Sequence, residues 1–261
     1  MNIDVLRKKN RQLTLLILVL IGMTLLSANI TNFKFMHSLL SVSEAFKWIA
    51  SNLMITGESL QKLPSILDKL LETIILSIIS TTTASVFALL LAILGSQATR
   101  VNMFFSTLSR FIASVFRNVP IVAWALILLL SFGQNALTGY FALFLTTLGF
   151  LTRAFTETID ETSNSSVEAL KATGATYFQV VHNAVIPECA PQIVSWILFM
   201  IETNIRSSTL IGILTGTGIG FSFDLYYKSM DYNMVRLITM SIVVVVIGIE
   251  LISNYVRRVI L

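Results

Sequence analysis

The chain has 261 residues, of which 55% are hydrophobic and only 12% are charged. This composition is too apolar for an ordinary soluble domain of the same length, and it indicates a protein embedded in lipid. The formal net charge is +4, but no basic patch interleaved with aromatic residues accompanies it, so nucleic-acid binding is not expected. Cys189 is the only cysteine, which excludes an internal disulfide and a metal site built from several cysteines; a small buried thiol is expected.

Six segments are apolar enough for membrane-spanning helices, which need about 20 mostly apolar residues. In chain order they comprise residues 13–28, 70–94, 111–132, 137–152, 194–214 and 235–256. No linker or low-complexity tract divides the chain, so we expect a single transmembrane domain over residues 1–261. The predicted fold class is an all-α integral membrane protein with about six transmembrane helices.

The distribution of Lys and Arg predicts the orientation of the chain in the membrane. The strongest basic cluster, RKKNR at residues 7–11, precedes the first span, and no signal-peptide cleavage site follows that span. We therefore expect a retained first helix and a cytoplasmic N-terminus. The C-terminus then also lies in the cytoplasm. Residues 29–69 form an external segment with an amphipathic helix, and residues 153–192 form a cytoplasmic loop.

The cytoplasmic loop contains the stretch EALKATGATYFQVVHNAVIPECAP at residues 168–191. Ser165 with Glu168, and Thr176 with Gln179, have the spacing of capping boxes, in which side chains satisfy the free amides of a helix start. Two short helices are therefore predicted. Before them, acidic side chains are expected at a solvated helix end, namely Glu157, Asp160 and Glu161.

The turn after the first short helix and the end of the second are also predicted. Gly174 is expected to adopt the left-handed conformation that ends a helix, and Pro187 is expected to stop the second helix before the fifth span. Tyr177, Phe178 and Val181 would lie along one side of the second helix, where a groove on a partner protein could receive them. The alternative is an ordinary loop that folds back onto the bundle.

Charged residues within the predicted spans are candidates for a polar pathway. Glu202 and Arg206 are four residues apart in the fifth span, which favours an ion pair, and charges at this depth normally pair or line a wet cavity. A structural role is favoured for Glu202, whereas Arg206, beside Ser207, would also suit a passing oxyanion. Arg117 and Asn118 are similar candidates in the third span, unless Arg117 lies at the membrane boundary as an anchor.

Small and hydroxyl-bearing residues predict how two of the helices pack or end. Ser77, Thr81 and Ser85 recur every four positions in the second span, which favours close helix packing, with a polar lining as the alternative. The glycines of GTGIG at residues 216–220 are expected to break the fifth helix and allow a tight or mobile turn.

Several kinds of chemistry are not expected in this chain. It has no Gly-Lys pair and therefore no P-loop for nucleotide phosphates. The lone histidines His37 and His182 have no partner at metal-ligand spacing, so no metal site is predicted. No nucleophile, base and orienting group form an evident catalytic set. The predicted protein is not an enzyme, and it binds no cofactor itself.

The spacing of the cytoplasmic stretch resembles the EAA motif of ABC importer permeases, E-A-A-x3-G-x9-I-x-L-P. The matching positions are Glu168, Ala169, Gly174 and Pro187; Leu170, Ala184 and Ile186 replace other apolar residues of the motif. Further stretches resemble the permease subunit of phosphonate ABC transporters. They are RNVPIVAWALI from residue 117, GFLTRAFTETIDE from residue 149, and ETNIRSSTLIGILTGTGIGF from residue 202.

The resemblance implies a type I ABC importer permease of the bacterial cytoplasmic membrane. The loop would be a coupling helix that docks into a cytoplasmic ATPase, with Tyr177 and Phe178 as the side chains that enter its groove. A second or sister permease, two ATPases that bind ATP and Mg²⁺, and an external substrate-binding protein are the implied partners. The implied substrate is a phosphonate, with phosphate, phosphite or a related oxyanion as alternatives.

Two other classes of function remain as alternatives at this stage. An ion-driven secondary transporter would need coupling-ion carboxylates at mid-membrane and often an internal repeat, and only Glu202 meets the first requirement. A membrane enzyme or an assembly scaffold belongs to a different class. The enzyme would need a reactive set of side chains, and the scaffold would keep the docking loop without transport.

Overall fold

The computed structural model describes residues 3–52 and 57–260, and the regular elements in these ranges are helices. The chain divides into two compact units, Met1–Met54 and Ile55–Leu261. The first unit contains α1 (Ile3–Ile30) and α2 (Phe35–Asn52). Residues Arg7–Ile30 of α1 are long and apolar enough to cross a membrane. The single domain predicted over residues 1–261 stays a prediction.

The second unit is a helical bundle. In chain order it contains α3 (Gly57–Leu60), α4 (Leu63–Gly95), α5 (Met103–Asn118), α6 (Ile121–Phe132), α7 (Ala136–Thr162), α8 (Asn164–Ala172), α9 (Tyr177–Val180), a π-helical turn (Val181–Val185), α10 (Ile186–Thr215), α11 (Gly218–Lys228) and α12 (Tyr232–Ile260). With α1, the described residues contain five helices long and apolar enough to span a membrane, or six if the bent pair α5 and α6 counts as one. Five of the predicted spans thus fall within α1, α4, α7, α10 and α12.

The predicted third span, residues 111–132, is wrong as a single helix. The chain bends by 91° between α5 and α6. Pro120 cannot donate a backbone hydrogen bond and disfavours helical geometry at the preceding residue, so Val119 is extended and α5 ends at Asn118. The span is therefore broken beside Arg117 and Asn118, two of the predicted pathway residues.

The core lies where α4 packs against α7. Ala84, Ala88 and Ala92 of α4 are fully buried, and their small side chains let the large apolar residues of α7 come close. Phe155 and Ile159 of α7 are also fully buried. Close packing of this kind gains dispersion energy that lipid contact alone would not supply.

Polar side chains join three helices inside this core. The side-chain amide of Asn204 in α10 donates to the hydroxyls of Thr81 in α4 and Thr147 in α7, over 2.8 and 2.7 Å. Ser77 and Ser208 are hydrogen-bonded to each other over 2.5 Å. Ser77, Thr81 and Ser85 are buried. The predicted packing role of the hydroxyls in the second span is therefore confirmed.

The glycines between α10 and α11 form a tight hairpin, as predicted. Gly216 and Gly218 both have positive φ, +70° and +61°. Across the hairpin, Gly220 lies directly against the Thr209 carbonyl, and a β-carbon at Gly220 would overlap that oxygen. The two helices can approach this closely only because Gly212 and Gly220 have no side chains at the contact.

We expect Gly220→Ala to lower the free energy of unfolding by about 2 kcal/mol or more, because the added methyl group displaces the backbone of α10. Gly248→Ala is the matched control, because no atom of the described residues lies within 4 Å of the β-carbon it would add to α12. The control should be neutral or slightly stabilising. Unfolding by sodium dodecyl sulfate in mixed micelles measures both, and equal stability of the two variants would contradict the tight hairpin.

Candidate functional site

The predicted cytoplasmic loop begins with α8, which starts earlier than predicted. Ser163 is the N-cap, and it continues directly from α7 because its backbone amide still donates to the Ile159 carbonyl over 3.2 Å. Ser165 therefore lies inside the first turn of α8, and the predicted capping box of Ser165 with Glu168 is wrong. The near-continuous backbone from α7 into α8 leaves no separate helix start at Ser165.

The turn between α8 and α9 has the predicted geometry. Gly174 has a φ of +83°, and its amide donates to the Lys171 carbonyl while the Ala175 amide donates to the Leu170 carbonyl. This pair of bonds is the Schellman arrangement that ends many helices. At the start of α9, Gln179 accepts a hydrogen bond from the backbone amide of Thr176 over 2.8 Å, which confirms the second capping pair.

The side chains of the loop divide into a buried face and an exposed face. Val167 of α8 and Val180 of α9 are buried in the core with Ile159 of α7. In contrast, 81% of Phe178 is exposed. Tyr177 is partly buried, and its buried hydroxyl has no hydrogen-bond partner among the residues that the structure describes. The exposed face also carries Glu168 and Ala169. The loop is thus anchored to the bundle on one face and presents an aromatic ring on the other.

Pro187 does not end the second helix, contrary to the prediction. The chain continues as helix from Tyr177 to Thr215, through the π-helical turn Val181–Val185. In this turn the amide of Ile186 donates to the carbonyl of Val181, five residues earlier. The wider turn changes the hydrogen-bond register just before Pro187 and accommodates its missing amide. Helix α9 is therefore continuous with the membrane helix α10. Cys189 lies in α10 and is buried, as predicted.

A second connection links the loop to the turn between α4 and α5. The Lys171 ammonium of α8 donates to the Ala98 carbonyl over 2.9 Å. The Asp160 carboxylate of α7 accepts from the Ser96 hydroxyl at 2.5 Å and from the Gln97 amide at 2.7 Å. Asp160 is thus a cap for the turn at residues 96–98 rather than part of a solvated helix end. Sequence reasoning missed this role because the bonded residues are more than sixty positions apart.

The predicted ion pair of Glu202 and Arg206 is present, and it has a third member. Arg206 Nη2 lies 2.9 Å from Glu202 Oε1, and Arg257 Nη2 of α12 lies 3.1 Å from Glu202 Oε2. Only 8% of the Glu202 side chain is exposed, compared with 24% for Arg257 and 48% for Arg206. A carboxylate buried this deeply is stabilised by two guanidinium groups. Arg257 was not among the predicted pathway residues, because it lies 55 positions from Glu202 in the chain.

The residues around Arg206 differ in their availability. Asn204 and Ser208 hydrogen-bond to α4 and α7, so they hold the bundle together. Ser207 is partly buried. Of the three charged residues Glu202, Arg206 and Arg257, Arg206 has the most exposed side chain.

Arg117 and Asn118 lie at the break between α5 and α6. Asn118 donates its side-chain amide to the Ser114 hydroxyl over 3.2 Å. Gly149, near the middle of the 27-residue α7, packs against the backbone of Arg117, and a β-carbon there would lie 2.5 Å from the Arg117 nitrogen. Arg117 lines a cavity of 390 Å³ between α5 and α7. Glu202 and Arg206 do not line this cavity, so the structure separates the predicted pathway residues into two places.

Residues 84–260 match the family described as "Binding-protein-dependent transport system inner membrane component". The chain belongs to this family. The family description places its members in the inner membrane and makes their transport dependent on a binding protein. A multi-span inner-membrane location follows in the same way.

Relatives of this inner membrane component are permeases of phosphorus-containing anions. It is 28% identical over 190 residues to the "Phosphate-import permease protein PhnE" of Mycolicibacterium smegmatis, covering 73% of this chain and 36% of the relative. It is 31% identical over 189 residues to the "Phosphite transport system permease protein PtxC" of Stutzerimonas stutzeri, covering 72% of this chain and 69% of the relative. The aligned part is therefore only about a third of the mycobacterial protein.

Solved structures with the same fold are ABC transporters. The inward-facing MetNI methionine ABC transporter superposes with a TM-score of 0.67 at 18% identity, covering 75% of this chain and 96% of that chain. A bacterial alginate ABC transporter in complex with its pentasaccharide-bound periplasmic protein superposes with a TM-score of 0.59 at 16% identity, covering 97% of both chains. At these identities the similarity shows the fold, and it agrees with the predicted fold class.

We expect Glu202→Gln to lower the free energy of unfolding of the inner membrane component by about 2 kcal/mol, because it leaves the two partly exposed guanidinium groups of Arg206 and Arg257 without their carboxylate. Arg257→Gln should cost less, about 1 kcal/mol, because Arg206 still pairs with the buried carboxylate. The double variant should lose less than the sum of the two losses, since both remove the same interaction. Unfolding by sodium dodecyl sulfate measures the three values. Arg258→Gln, at an exposed neighbour, is the control and should change stability by less than about 0.5 kcal/mol. Additive losses would mean that Glu202 and Arg257 act independently.

Proposed function

We propose that this chain is the transmembrane permease subunit of an ABC importer that moves phosphonates across the bacterial cytoplasmic membrane. The observation that carries the proposal is the loop from α8 to α9, which presents Phe178 outward and continues without interruption into the membrane helix α10. The phosphorus-anion permeases among its relatives support the substrate class. The same mechanism with phosphate or phosphite as the substrate is the alternative.

The loop has the physical properties of a mechanical joint. A partner that holds Phe178 can move α9, and because α9 and α10 form one helix, the displacement passes directly to Asn204 and Glu202 in the bundle. Lys171 passes the same movement to the turn at residues 96–98 and so to the start of α5. Closure of an ATPase pair would in this way move α10 and α5 together.

The proposed assembly contains two permeases, two cytoplasmic ATPases and an external binding protein. The second permease is another copy of this chain or a sister chain. ATP and Mg²⁺ bind to the ATPases, and both termini of this chain lie in the cytoplasm. ATP binding draws the ATPases together, and hydrolysis then resets the inward-facing state.

The proposal predicts ATP-driven uptake of a labelled alkylphosphonate into proteoliposomes that contain this chain, its ATPase and its binding protein. Phosphate and phosphite serve as competitors. Uptake should require ATP, and unlabelled alkylphosphonate should compete better than either inorganic anion.

The outcomes separate the proposed mechanism from the proposed substrate. Better competition by phosphate or phosphite would retain the ABC mechanism and replace the phosphonate assignment. Uptake that ignores ATP but follows an imposed ion gradient would overturn the ABC importer in favour of a secondary transporter.

We expect Phe178→Ala to reduce ATP-driven uptake by at least about tenfold, because a central aromatic anchor often contributes 2 kcal/mol or more to a protein interface. Its exposed ring has an edge contact with the neighbouring Tyr177 ring and is otherwise open to solvent, so the variant should fold normally. Co-purification of the ATPase and thermal stability measure the two effects. Phe104→Ala, at an exposed phenylalanine of α5, is the control and should retain the ATPase. Normal ATPase retention and uptake in Phe178→Ala would show that α9 is not part of the interface with the ATPase.

A further inference from the structure

The cavity between α5 and α7 has a polar wall whose composition suits a small anion. Its volume is 390 Å³, at the small end of the range for ligand pockets. The lining residues come from the two facing helices and the adjacent turn, and they are Gln97, Arg110, Ala113, Ser114, Arg117, Thr152, Arg153, Thr156, Glu157 and Asp160. Three arginines against two carboxylates leave the wall with a net positive charge.

The carboxylates of this wall are already engaged. Asp160 accepts hydrogen bonds from the turn at residues 96–98. Glu157 is paired with Arg153 over 2.7 Å. Arg110 donates through Nε to the Gly95 carbonyl over 3.0 Å. These contacts hold the rim of the cavity and leave Arg117 as the unpaired cation of its lining.

The Arg117 side chain makes no hydrogen bond or ion pair with any residue in the described part of the chain. Its backbone is held tightly against Gly149, near the middle of α7. A guanidinium group presents several donors in a planar fork that matches the oxygens of a phosphate-like anion. Arg117 is therefore an exposed cation with free donors at the C-terminal end of α5, where the backbone is held against α7.

The hydroxyl of Thr152 is a second, independent group in the cavity lining that lacks a hydrogen-bond partner among the described residues. Only 1% of this residue is exposed, and its hydroxyl is buried without a hydrogen-bond partner among the described residues. A buried hydroxyl normally has a partner, because leaving it unpaired costs free energy. Thr152 lines the same cavity as Arg117. Its hydroxyl is closed off from solvent in this arrangement, so the Thr152 side chain must rotate to turn the oxygen toward the cavity before one anion can accept hydrogen bonds from both residues.

We propose that this cavity binds a tetrahedral phosphorus oxyanion, held by the guanidinium of Arg117 and the hydroxyl of Thr152. The inference rests on the proposed import of phosphonates, for which it names a binding site within the permease itself. The small side chains of Ala113 and Ser114 leave room for the organic substituent of a phosphonate. The transported anion or phosphate from the cytosol would be recognised by the same chemistry.

The test measures binding of radiolabelled inorganic phosphate to the full chain in lipid nanodiscs by equilibrium dialysis. Arg117→Gln should weaken binding by more than about tenfold, because it removes the free cation. Thr152→Val replaces the hydroxyl with a methyl group of similar size and should weaken binding by about tenfold. Thr152→Ser restores the hydroxyl and should recover most of that loss.

Arg100→Gln is the matched control, since it removes the same charge from an exposed arginine that does not line the cavity. It should bind phosphate within about twofold of the parent chain, because an exposed charge outside the cavity is screened by solvent. An equal loss in Arg100→Gln would show general attraction to a basic surface, and unchanged binding in Arg117→Gln and Thr152→Val would place the anion elsewhere. Either result overturns the site.

Competition experiments distinguish the transported anion from cytosolic phosphate as the ligand. Uptake experiments distinguish the proposed importer function from the proposed anion site. Displacement of phosphate by methylphosphonate at similar concentration supports a site for the transported anion, whereas failure of methylphosphonate to compete overturns it in favour of a site for cytosolic phosphate. ATP-driven uptake in proteoliposomes is measured separately. Binding at this site without uptake would reject the importer and retain the site, and uptake with unaltered binding in both variants would reject the site alone.

Discussion

The bundle depends on hydrogen bonds between polar side chains that are buried where otherwise apolar helices meet. Asn204 shows this most directly, since its side-chain amide donates to Thr81 and Thr147 and so joins α10 to α4 and α7. Around this junction the alanines of α4 allow close approach, and the apolar side chains of α7 fill the remaining space. Apolar helix surfaces gain little from the hydrophobic effect when they pack together in a membrane, because lipid solvates them equally well. Close packing and hydrogen bonds of this kind must therefore supply the specificity of the interface.

The same bundle connects the loop of α8 and α9 to the membrane helices in two ways. One route is covalent, since α9 passes through a π-helical turn into α10 and reaches Asn204 and Glu202 without a break. The other is a hydrogen bond from Lys171 to the turn at residues 96–98, which Asp160 also holds. A movement imposed on the loop therefore reaches both the polar junction of the core and the helix that carries Arg117.

The polar residues of the spans have distinct tasks in this arrangement. Glu202 is buried and neutralised by Arg206 and Arg257, which makes it a contact between α10 and α12. Arg117, in contrast, is free of partners in the described chain and lines a cavity with a buried, unpartnered hydroxyl at Thr152. The helix break at Pro120 determines where Arg117 lies, because α5 ends just after the point where the Arg117 backbone contacts Gly149 of α7.

The sequence by itself determined the membrane class, the approximate spans and the local signals of the loop. Hydropathy depends on composition within a segment, and the conformation of Gly174 and the pair of Thr176 and Gln179 depend on neighbours a few residues away. The 91° break at Pro120 and the helix through Pro187 show the limit of local rules, since the same residue type ended one helix and was accommodated within another. Only the tertiary structure decided that Arg257 meets Glu202, that Asp160 caps a distant turn, and that Arg117 and Thr152 share a cavity. These contacts join residues far apart in the chain, and their formation depends on how whole helices pack, which no local pattern records.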